Sequence, residues 1–428
     1  MVFLDPSSAD LLLARTRNLV RGFGSGRSAA LRAFAGPTFI AAVAYLDPGN
    51  FATNISAGAT HGYQLLWVVL LANATAMLFQ ALAAKLGIVS GCSLARMCRE
   101  RLPAPVTLTL WALSELGAMA TDLAELLGAA IGCALLCGTS LFAGTVLAGA
   151  ASWVILTMHR KSFRTAEAVI AGLILIVGLC FLIETGLIPP DWHAVLKHSL
   201  VPSFGDADGV MLAAGIVGAT VMPHALFLHS SVARNRVPAG NPTKLRQLVR
   251  ASNIDIGLTL GVVGLVNMAM MYLAAATFGA AGHAHPAGID SAYHMLRPLF
   301  GGAAAAIFIV SLLASGLSSS VVGTMAGQVI MQDFLDWHIP LWVRRLATML
   351  PTLVIAAIVT DATKVLVISQ VVLSFVLPVP IITLVMFTGS RRVMGDLANS
   401  STVAALAIAA AAIVLALNLL LLGTLGQG

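Results

Sequence analysis

Long apolar stretches follow one another along almost the whole chain, separated by short polar segments. A helix needs about 20 apolar residues to cross the hydrocarbon core of a bilayer. The pattern predicts eleven spans of that kind, at residues 33–58, 63–89, 105–131, 134–157, 166–188, 208–233, 255–279, 298–325, 341–361, 365–389 and 401–424. We therefore expect an all-α polytopic membrane protein.

Two of the predicted spans are interrupted by proline at matching places. Pro48 lies in the first span and Pro223 in the sixth, and the offset between them also relates Ala44 to Ala219. Proline has no N–H to donate within a helix, and lipid cannot satisfy the carbonyl groups that it sets free. Paired interrupted spans are typical of secondary transporters, whose substrate site lies near the middle of the membrane.

Composition supports the membrane assignment, and charge predicts the orientation. Of the 428 residues, 58% are hydrophobic and 10% are charged. Of the 24 Lys and Arg residues, 21 fall in the N-terminal tail and in alternate loops, which leaves three on the other side: Lys197, Arg297 and Lys364. Basic residues near spans are retained in the cytoplasm. We therefore expect a protein of the inner or plasma membrane, with a cytoplasmic N-terminus and an extracytoplasmic C-terminus, and no binding to nucleic acid.

Most of the 18 acidic residues lie in loops or at the ends of predicted spans, and four do not: Asp47, Glu115, Asp122 and Glu125. A carboxylate at membrane depth is costly and normally faces the protein interior or a water path. Asp47 adjoins the first proline break, and Asn50 is close enough to turn its amide oxygen to the same point. Glu115, Asp122 and Glu125 lie roughly on one stripe of the third span, as expected of a polar path for protons.

Met222 precedes the second break as Asp47 precedes the first. Oxygen ligands combined with one thioether disfavour Mg²⁺ and Ca²⁺, which prefer shells of oxygen alone, whereas Mn²⁺, Fe²⁺ and Co²⁺ accept such a set. The alternatives are that Met222 only packs in the core and that Asp47 and Asn50 only cap a turn. The two breaks together favour a transition-metal site.

Three motifs taken together resemble the Nramp family of proton-coupled divalent metal transporters, and most closely its bacterial manganese-transporter branch. They are Asp47-Pro48-Gly49-Asn50, Met222-Pro223-His224 followed by Leu228-His229-Ser230, and the run from Ala120 to Glu125. The resemblance extends from about Gly36 to Thr388 and continues weakly into the last span. The chain departs from many relatives at Ala225, Phe227 and Val376, where Asn, Tyr and Gln are common.

The resemblance implies a LeuT-like fold in which helices 1 and 6 are unwound at mid-membrane. A cytoplasmic tail (1–32) would precede two inverted five-helix repeats (33–188 and 208–389) and an eleventh helix (401–424). The implied metal ligands are Asp47, Asn50, Met222, Gln370 and the carbonyl oxygens of Ala44 and Ala219. Gln80 and Asn267 would lie around these ligands. For Gln370, Gln80 and Asn267, a hydrogen bond between helices is the alternative role.

The implied function is symport of divalent metal ions and protons by alternating access. The substrate would be Mn²⁺, with Fe²⁺, Co²⁺ and Cd²⁺ as further candidates, and the resemblance implies no resident cofactor, enzymatic activity or obligate protein partner. The proton path would comprise Asp47, His224, Glu115, Asp122, Glu125 and Arg345. His224 belongs to it because imidazole titrates nearest to neutral pH; the alternative is a neutral ring that holds the unwound helix.

Other classes of function are weighed against this one. A symporter of the same architecture for an organic substrate, such as an amino acid, is the main alternative, followed by an intramembrane metalloenzyme and a passive metal channel. The sequence contains no H-E-x-x-H motif of the kind that binds zinc in metalloproteases. Two further groups stay open: Cys133 with Cys137 as a soft-metal pair, and a metal-gathering loop with His283, His285, Asp290 and His294.

Overall fold

A computed structural model describes residues 45–161, 191–234, 242–281 and 302–426, with short pieces at 172, 176–180, 183, 185–186, 289, 291 and 293–294. All regular structure in these residues is helical. The principal helices are α1 (Pro48–His61), α2 (Leu66–Ser90), α3 (Leu94–Arg101), α4 (Ala104–Cys137), α5 (Leu141–Lys161), α6 (Trp192–Leu200), α7 (Ala207–Val221), α8 (Pro223–Arg234), α9 (Pro242–Ala281), α10 (Gly302–Leu335), α11 (Leu341–Ile358), α12 (Ala362–Val376), α13 (Pro378–Gly389), α14 (Arg391–Met394) and α15 (Ser401–Leu425).

Within the described residues, seven helical segments are long and apolar enough to cross a membrane. They are Leu66–Ser90, Ala104–Cys137, Ala207–Arg234, Leu245–Phe278, Ala305–Leu335, Ala362–Gly389 and Ser401–Thr424, and each overlaps a predicted span. The shorter helices α5 and α11 overlap the predicted spans 134–157 and 341–361. The start of the first span, with Ala44, and most of the span 166–188 lie outside the described residues. The all-helical class is confirmed, and the count of eleven stays a prediction.

Three helices in apolar segments begin at a proline residue. Helix α1 begins at Pro48 after an extended Asp47, and α8 begins at Pro223, with Met222 between it and the end of α7 at Val221. The third break was not predicted, because residues 365–389 read as one continuous apolar span. The structure divides that segment at Leu377, between α12 and α13. Pro378 explains the break, since it has no N–H to continue the helix.

Polar side chains fix the ends of several helices. Ser93 accepts a hydrogen bond from a backbone N–H in the first turn of α3, Asp206 does so for α7, Asp361 for α12 and Ser400 for α15. Such caps satisfy N–H groups that a helix leaves without an internal partner. They set the points at which the apolar segments begin.

The interrupted pair α7 and α8 forms the centre of the fold. In the most apolar 18-residue stretch of this pair, 94% is buried inside the protein, whereas in that of α15 the share is 28%. Helix α15 therefore lies at the periphery. Helix α4 reaches the centre because Gly128 has no side chain where it meets Pro48; a Cβ at Gly128 would overlap the proline ring. This close approach brings the acidic residues of α4 near the start of α1.

Candidate functional site

Asp47 stands directly before α1 and caps it. Its two carboxylate oxygens accept hydrogen bonds from the backbone N–H groups of Gly49 and Asn50, each at 3.0 Å. Pro48 occupies the first helical position, where its missing N–H costs nothing. The carboxylate is buried at the positive end of the helix dipole. Among the described residues, no basic side chain forms an ion pair with Asp47, so its carboxylate is held at the break by backbone N–H groups.

Met222 ends α7 in a backbone conformation that is rare for its residue type. Its φ is 45°, and among the described residues only Asp336 shares a positive φ without being glycine. Such a conformation costs of order 1–3 kcal/mol and persists only where the surroundings enforce it. Pro223 follows at once, so the carbonyl of Ala219, four residues earlier, has no helical N–H donor. The break thus presents a free carbonyl oxygen and a buried thioether.

Asn50 joins the two breaks. Its amide nitrogen lies 2.6 Å from Asp47 Oδ1, 3.1 Å from the carbonyl oxygen of Ala219 and 3.3 Å from that of Tyr45. Its amide oxygen accepts a hydrogen bond from Thr220 at 3.1 Å. An amide nitrogen has two hydrogens, so three acceptors around it exceed what it can satisfy. Three oxygens that converge on one point form a cradle suited to a cation.

The extended segment before α1 is tied to its neighbours through its carbonyl groups. Ser315 donates a hydrogen bond to the carbonyl of Leu46 at 2.5 Å, and Asn267 donates to that of Tyr45 at 3.4 Å. Gln80 donates to the Tyr45 hydroxyl at 2.5 Å. Gln80 and Asn267 therefore both hold Tyr45, and neither touches Asp47 in the described contacts. Ala44, the remaining expected ligand, lies outside the described residues.

Gln370 reaches the cradle from α12. Its side chain packs against Gly49, where an added Cβ would overlap the Gln370 amide and come within 2.6 Å of Asp47 Oδ2. The amide nitrogen donates to Ser369 at 3.0 Å, while the buried amide oxygen has no hydrogen-bond partner among the described residues. A buried unsatisfied oxygen is costly. The amide carbon and nitrogen are the Gln370 atoms nearest to Gly49, so a rotation of the amide would present the oxygen to a cation at Asp47.

His224 connects the second break to α4. Its Nδ1 lies 3.0 Å from the Thr121 hydroxyl, which donates its own hydrogen to the carbonyl of Gly117 at 3.0 Å. Since a hydroxyl has one hydrogen, the imidazole is the donor in the contact with Thr121. In the neutral ring, Nε2 then carries a free lone pair, and it has no partner among the described residues. Thr121 was not singled out in the sequence.

Asp122 and Glu125 are buried side by side on α4, opposite Gly323 of α10. A Cβ at Gly323 would come within 2.9 Å of Asp122 Oδ1 and overlap Glu125. Glu125 has no hydrogen-bond partner among the described residues, and Asp122 has the Thr348 side chain near its carboxylate. Two adjacent buried carboxyl groups with so few partners form a site that can take up protons or water.

Arg345, which the resemblance implies as part of the proton path, forms no ion pair within 4 Å of Asp122 or Glu125 among the described residues. Its guanidinium donates to Ser152 at 2.7 Å, to Thr324 at 3.3 Å and to Ser320. The charge is thus held by hydroxyl groups in the protein interior. Sequence reasoning missed these hydroxyl residues, because no pattern in the chain marks them.

Glu115 differs from the other two carboxylates of α4. It forms an ion pair with Arg344, whose Nη2 lies 2.9 Å from Glu115 Oε1. The basic partner of Glu115 is therefore Arg344 and not the neighbouring Arg345, which the resemblance implies for the proton path. Arg344 contributed only to the predicted orientation, and its guanidinium now occupies the space beside Gly327. Glu115 therefore has a basic partner within ion-pair distance, whereas Asp122 and Glu125 have none among the described residues.

The other candidate metal groups receive no support. The described residues bring together no group of three His, Cys, Asp or Glu side chains. Cys133 is partly buried and Cys137 is exposed. His283, His285 and Asp290 lie outside the described residues, while His294 packs on the Tyr293 ring with centroids 5.1 Å apart. A metal bound near Asp47 would thus be held by mixed donors and not by a cluster of acids and imidazoles.

Comparison with known proteins identifies relatives over nearly the whole length. A model of the family described as Nramp, "Natural resistance-associated macrophage protein-like", matches residues 38–424. The chain is 51% identical over 389 residues to "Divalent metal cation transporter MntH" of Acidiphilium cryptum (strain JF-5), a match that covers 91% of this chain and 90% of the relative. It is 50% identical over 418 residues to the protein of that name from Verminephrobacter eiseniae (strain EF01-2), with 96% and 94% covered.

Solved structures agree. The crystal structure of the Eremococcus coleocola manganese transporter, in complex with an aromatic bis-isothiourea substituted compound, superposes with a TM-score of 0.82 at 34% identity, covering 92% of this chain and 87% of the other. Mhp1, a nucleobase-cation-symport-1 family transporter in a closed conformation, superposes with a TM-score of 0.61 at 14% identity, covering 91% of each chain. At that identity the likeness concerns the fold alone, and it confirms the expected LeuT-like architecture.

Proposed function

This chain belongs to the Nramp family, and from that premise we propose that it imports divalent transition metal ions in symport with protons by alternating access. The observation that carries the proposal is the cradle at Asn50. Oxygens of Asp47, Ala219 and Tyr45 converge on one amide nitrogen, and Met222 is buried at the same helix break as Ala219. A rotation of the Asn50 amide would exchange this nitrogen for an oxygen and open the position to a cation.

The donor set favours a transition metal. We assign the metal to Asp47, Asn50, the Ala219 carbonyl and Met222, joined by the Ala44 carbonyl and Gln370. Soft sulfur suits Mn²⁺, Fe²⁺, Co²⁺ and Cd²⁺ and is a poor ligand for Mg²⁺ and Ca²⁺. An organic substrate with a carboxylate fits less well, because the buried Asp47 would repel it.

The proton path that we propose begins at the metal site. Metal binding favours ionised Asp47, and His224 offers a free Nε2 lone pair on one side and a hydrogen bond to Thr121 on the other. Thr121 adjoins Asp122, which leads to Glu125 on the same helix face. Arg345 would stabilise these carboxylates when they are ionised. Glu115, paired with Arg344, would form the last acidic position of the path.

We place the N-terminus in the cytoplasm, the C-terminus outside and the protein in the cell membrane, on the strength of the uneven distribution of Lys and Arg. The matched breaks at Pro48 and Pro223 support two inverted repeats, at 33–188 and 208–389. An inside-negative potential contributes about 2.3 kcal/mol per charge per 100 mV, which favours inward movement of a divalent cation. Uptake is therefore the direction proposed.

The proposal can be tested in proteoliposomes loaded with a Mn²⁺-sensitive dye. Wild-type protein should take up Mn²⁺ faster at acidic than at neutral external pH, whereas Asp47→Ala and Asn50→Ala should abolish uptake. Asp396→Ala is the matched control, because this acidic residue is exposed and far along the chain from the breaks. Normal uptake by the Asp47 or Asn50 variant would refute the assigned site, and uptake without any proton movement would refute symport.

A selectivity test addresses the thioether. Met222→Ala should retain Mn²⁺ uptake and gain sensitivity to competition by Ca²⁺ and Mg²⁺, because its remaining donors are oxygens. If competition by these ions were the same in wild type and variant, sulfur would not determine selectivity here.

A further inference from the structure

The third proline break has a partner on the last helix. Pro378 cannot donate to the carbonyl of Ser374, four residues earlier. The Asn418 side chain on α15 replaces the missing donor, with its amide nitrogen 2.7 Å from that carbonyl oxygen. In return, the Ser374 hydroxyl donates to the Asn418 amide oxygen at 2.6 Å. Both residues are buried.

The chemistry of this pair fixes its orientation. A carbonyl can only accept, so the amide atom beside the Ser374 carbonyl is the NH₂ group, and the other amide atom is the acceptor for the hydroxyl. Asn418 lies in a helix that is otherwise almost wholly apolar and long enough to cross a membrane. A polar side chain in such a helix is costly in lipid. Here that cost is offset by a reciprocal pair of hydrogen bonds to one residue.

Ser374 is one helical turn from Gln370, and α7 packs against the backbone between them. A Cβ at Gly218 would lie 2.7 Å from the backbone nitrogen of Ser374 and overlap the carbonyl oxygen of Gln370. Gly218 in turn accepts a hydrogen bond from the backbone N–H of Met222 at 3.4 Å. A small rotation of α12 would therefore move the Gln370 side chain relative to Gly49 and Asp47.

We propose that Asn418 is a positioning residue for the metal site. It holds the proline-broken end of α12 and so keeps the Gln370 amide group against Gly49, next to Asp47, although Asn418 itself lies on the peripheral helix α15. The proposal rests on the proposed function, since it assigns Gln370 to the metal. It gives α15 a role in metal affinity beyond membrane anchoring.

The test compares Mn²⁺ uptake and Mn²⁺ binding by calorimetry in four proteins: wild type, Asn418→Leu, Gln370→Ala and the double variant. Asn418→Leu should raise KM and Kd by about threefold to tenfold, as expected for one interhelical hydrogen-bonded pair, with a smaller change in the maximal rate. Because Asn418 acts through Gln370, it should add little in the Gln370→Ala background. Leu419→Ala, a lipid-facing neighbour that is 67% exposed, is the matched control.

A rescue experiment separates positioning from general stability. In Pro378→Ala protein the backbone N–H at 378 can satisfy Ser374, so Asn418→Leu should cost less there than in wild type. Two results would overturn the proposal. One is an equal KM in wild type and Asn418→Leu; the other is that Asn418→Leu raises KM by the same factor in the wild-type and Gln370→Ala backgrounds. If Asn418→Leu does not fold, Ser374→Ala, which removes only the hydroxyl contact, provides the same comparison. If the wild-type protein itself took up no Mn²⁺, the proposed function would be refuted instead.

Discussion

Asn50 donates its side-chain amide to the carbonyl oxygen of Ala219 over 3.1 Å, and this contact joins the two interrupted helices at the point where both are broken. The Ala219 carbonyl has no donor within its own helix because Pro223 has no N–H. Asn418 likewise donates its side-chain amide to the carbonyl of Ser374, which lacks a helical donor because of Pro378. At two proline breaks, then, an asparagine from another helix supplies the missing donor. The first of these asparagines also contacts a carboxylate, that of Asp47, and its break contains the buried Met222.

Restoring the backbone donor at the second break should destroy the cradle. In Pro223→Ala the new N–H can bond to Ala219, which withdraws its oxygen from a cation. We expect Mn²⁺ affinity to fall about tenfold to hundredfold, the size expected for a charge-assisted contact of roughly 1.5–3 kcal/mol. Titration calorimetry of the purified protein measures this. Pro351→Ala, inside α11, is the matched control and should bind normally; unchanged affinity in Pro223→Ala would contradict the cradle.

Gly49 should tolerate no side chain. An added Cβ would overlap the Gln370 amide and lie 2.6 Å from Asp47 Oδ2, so Gly49→Ala should displace one of these two groups. We expect Mn²⁺ uptake to fall at least about tenfold, since a site displaced by an ångström loses much of its function. Gly257→Ala, where an added Cβ meets nothing within 4 Å, should behave as wild type. Full activity in both variants would place Gln370 outside the site.

The difference between what the sequence predicted and what it missed has a physical cause. Ala219 could be located because a proline frees the carbonyl four residues before it, which is a local rule. Pro378 obeys the same rule, but its surroundings are apolar, and nothing near it in the chain suggested a partner as distant as Asn418. Arg344 and Arg345 could not be told apart, because adjacent residues on a helix point about 100° apart and only tertiary packing decides which one meets Glu115.

The ion pair between Glu115 and Arg344 should contribute to stability. Arg344 is 3% exposed and Glu115 is 17% exposed in their side chains, so Glu115→Gln leaves a buried charge without its partner. We expect a loss of up to about 3 kcal/mol, at the lower end for breaking a buried pair, and partial recovery in Glu115→Gln/Arg344→Met. Thermal unfolding in detergent measures both.

Glu100→Gln provides the control for this pair. Glu100 pairs with Arg96 at 2.7 Å, but both side chains are about half exposed. An exposed pair contributes at most about 1 kcal/mol, so this variant should unfold close to wild type. If Glu115→Gln were as stable as Glu100→Gln, the ion pair between Glu115 and Arg344 would not contribute to stability. The Glu115 carboxylate would then be free for other chemistry.

The free ends of α1 and α7 meet at His61 and Asp206. His61 Nε2 lies 3.0 Å from Asp206 Oδ1, which also accepts from the backbone N–H of Gly209 at 2.9 Å. These two hydrogen bonds, with that of His61 first, hold the pKa of Asp206 below its ordinary value. Asp206 precedes the membrane-spanning segment of α7 and is 66% exposed in its side chain, so it can be varied without disturbing the core.

Because its pKa is lowered, ionised Asp206 stabilises the folded protein at any pH above the ordinary aspartate pKa of about 4. This stabilisation is lost as the pH falls through the lowered pKa of Asp206 in the folded protein. Asp206→Ala should therefore unfold at a lower temperature than wild type at pH 7, with a difference that shrinks below about pH 4. Between pH 5 and pH 7, the two values at which uptake is to be compared, Asp206 stays ionised. The ratio of Mn²⁺ uptake at these two pH values should thus be the same in variant and wild type, measured in proteoliposomes. A changed ratio would add Asp206 to the groups whose titration drives transport.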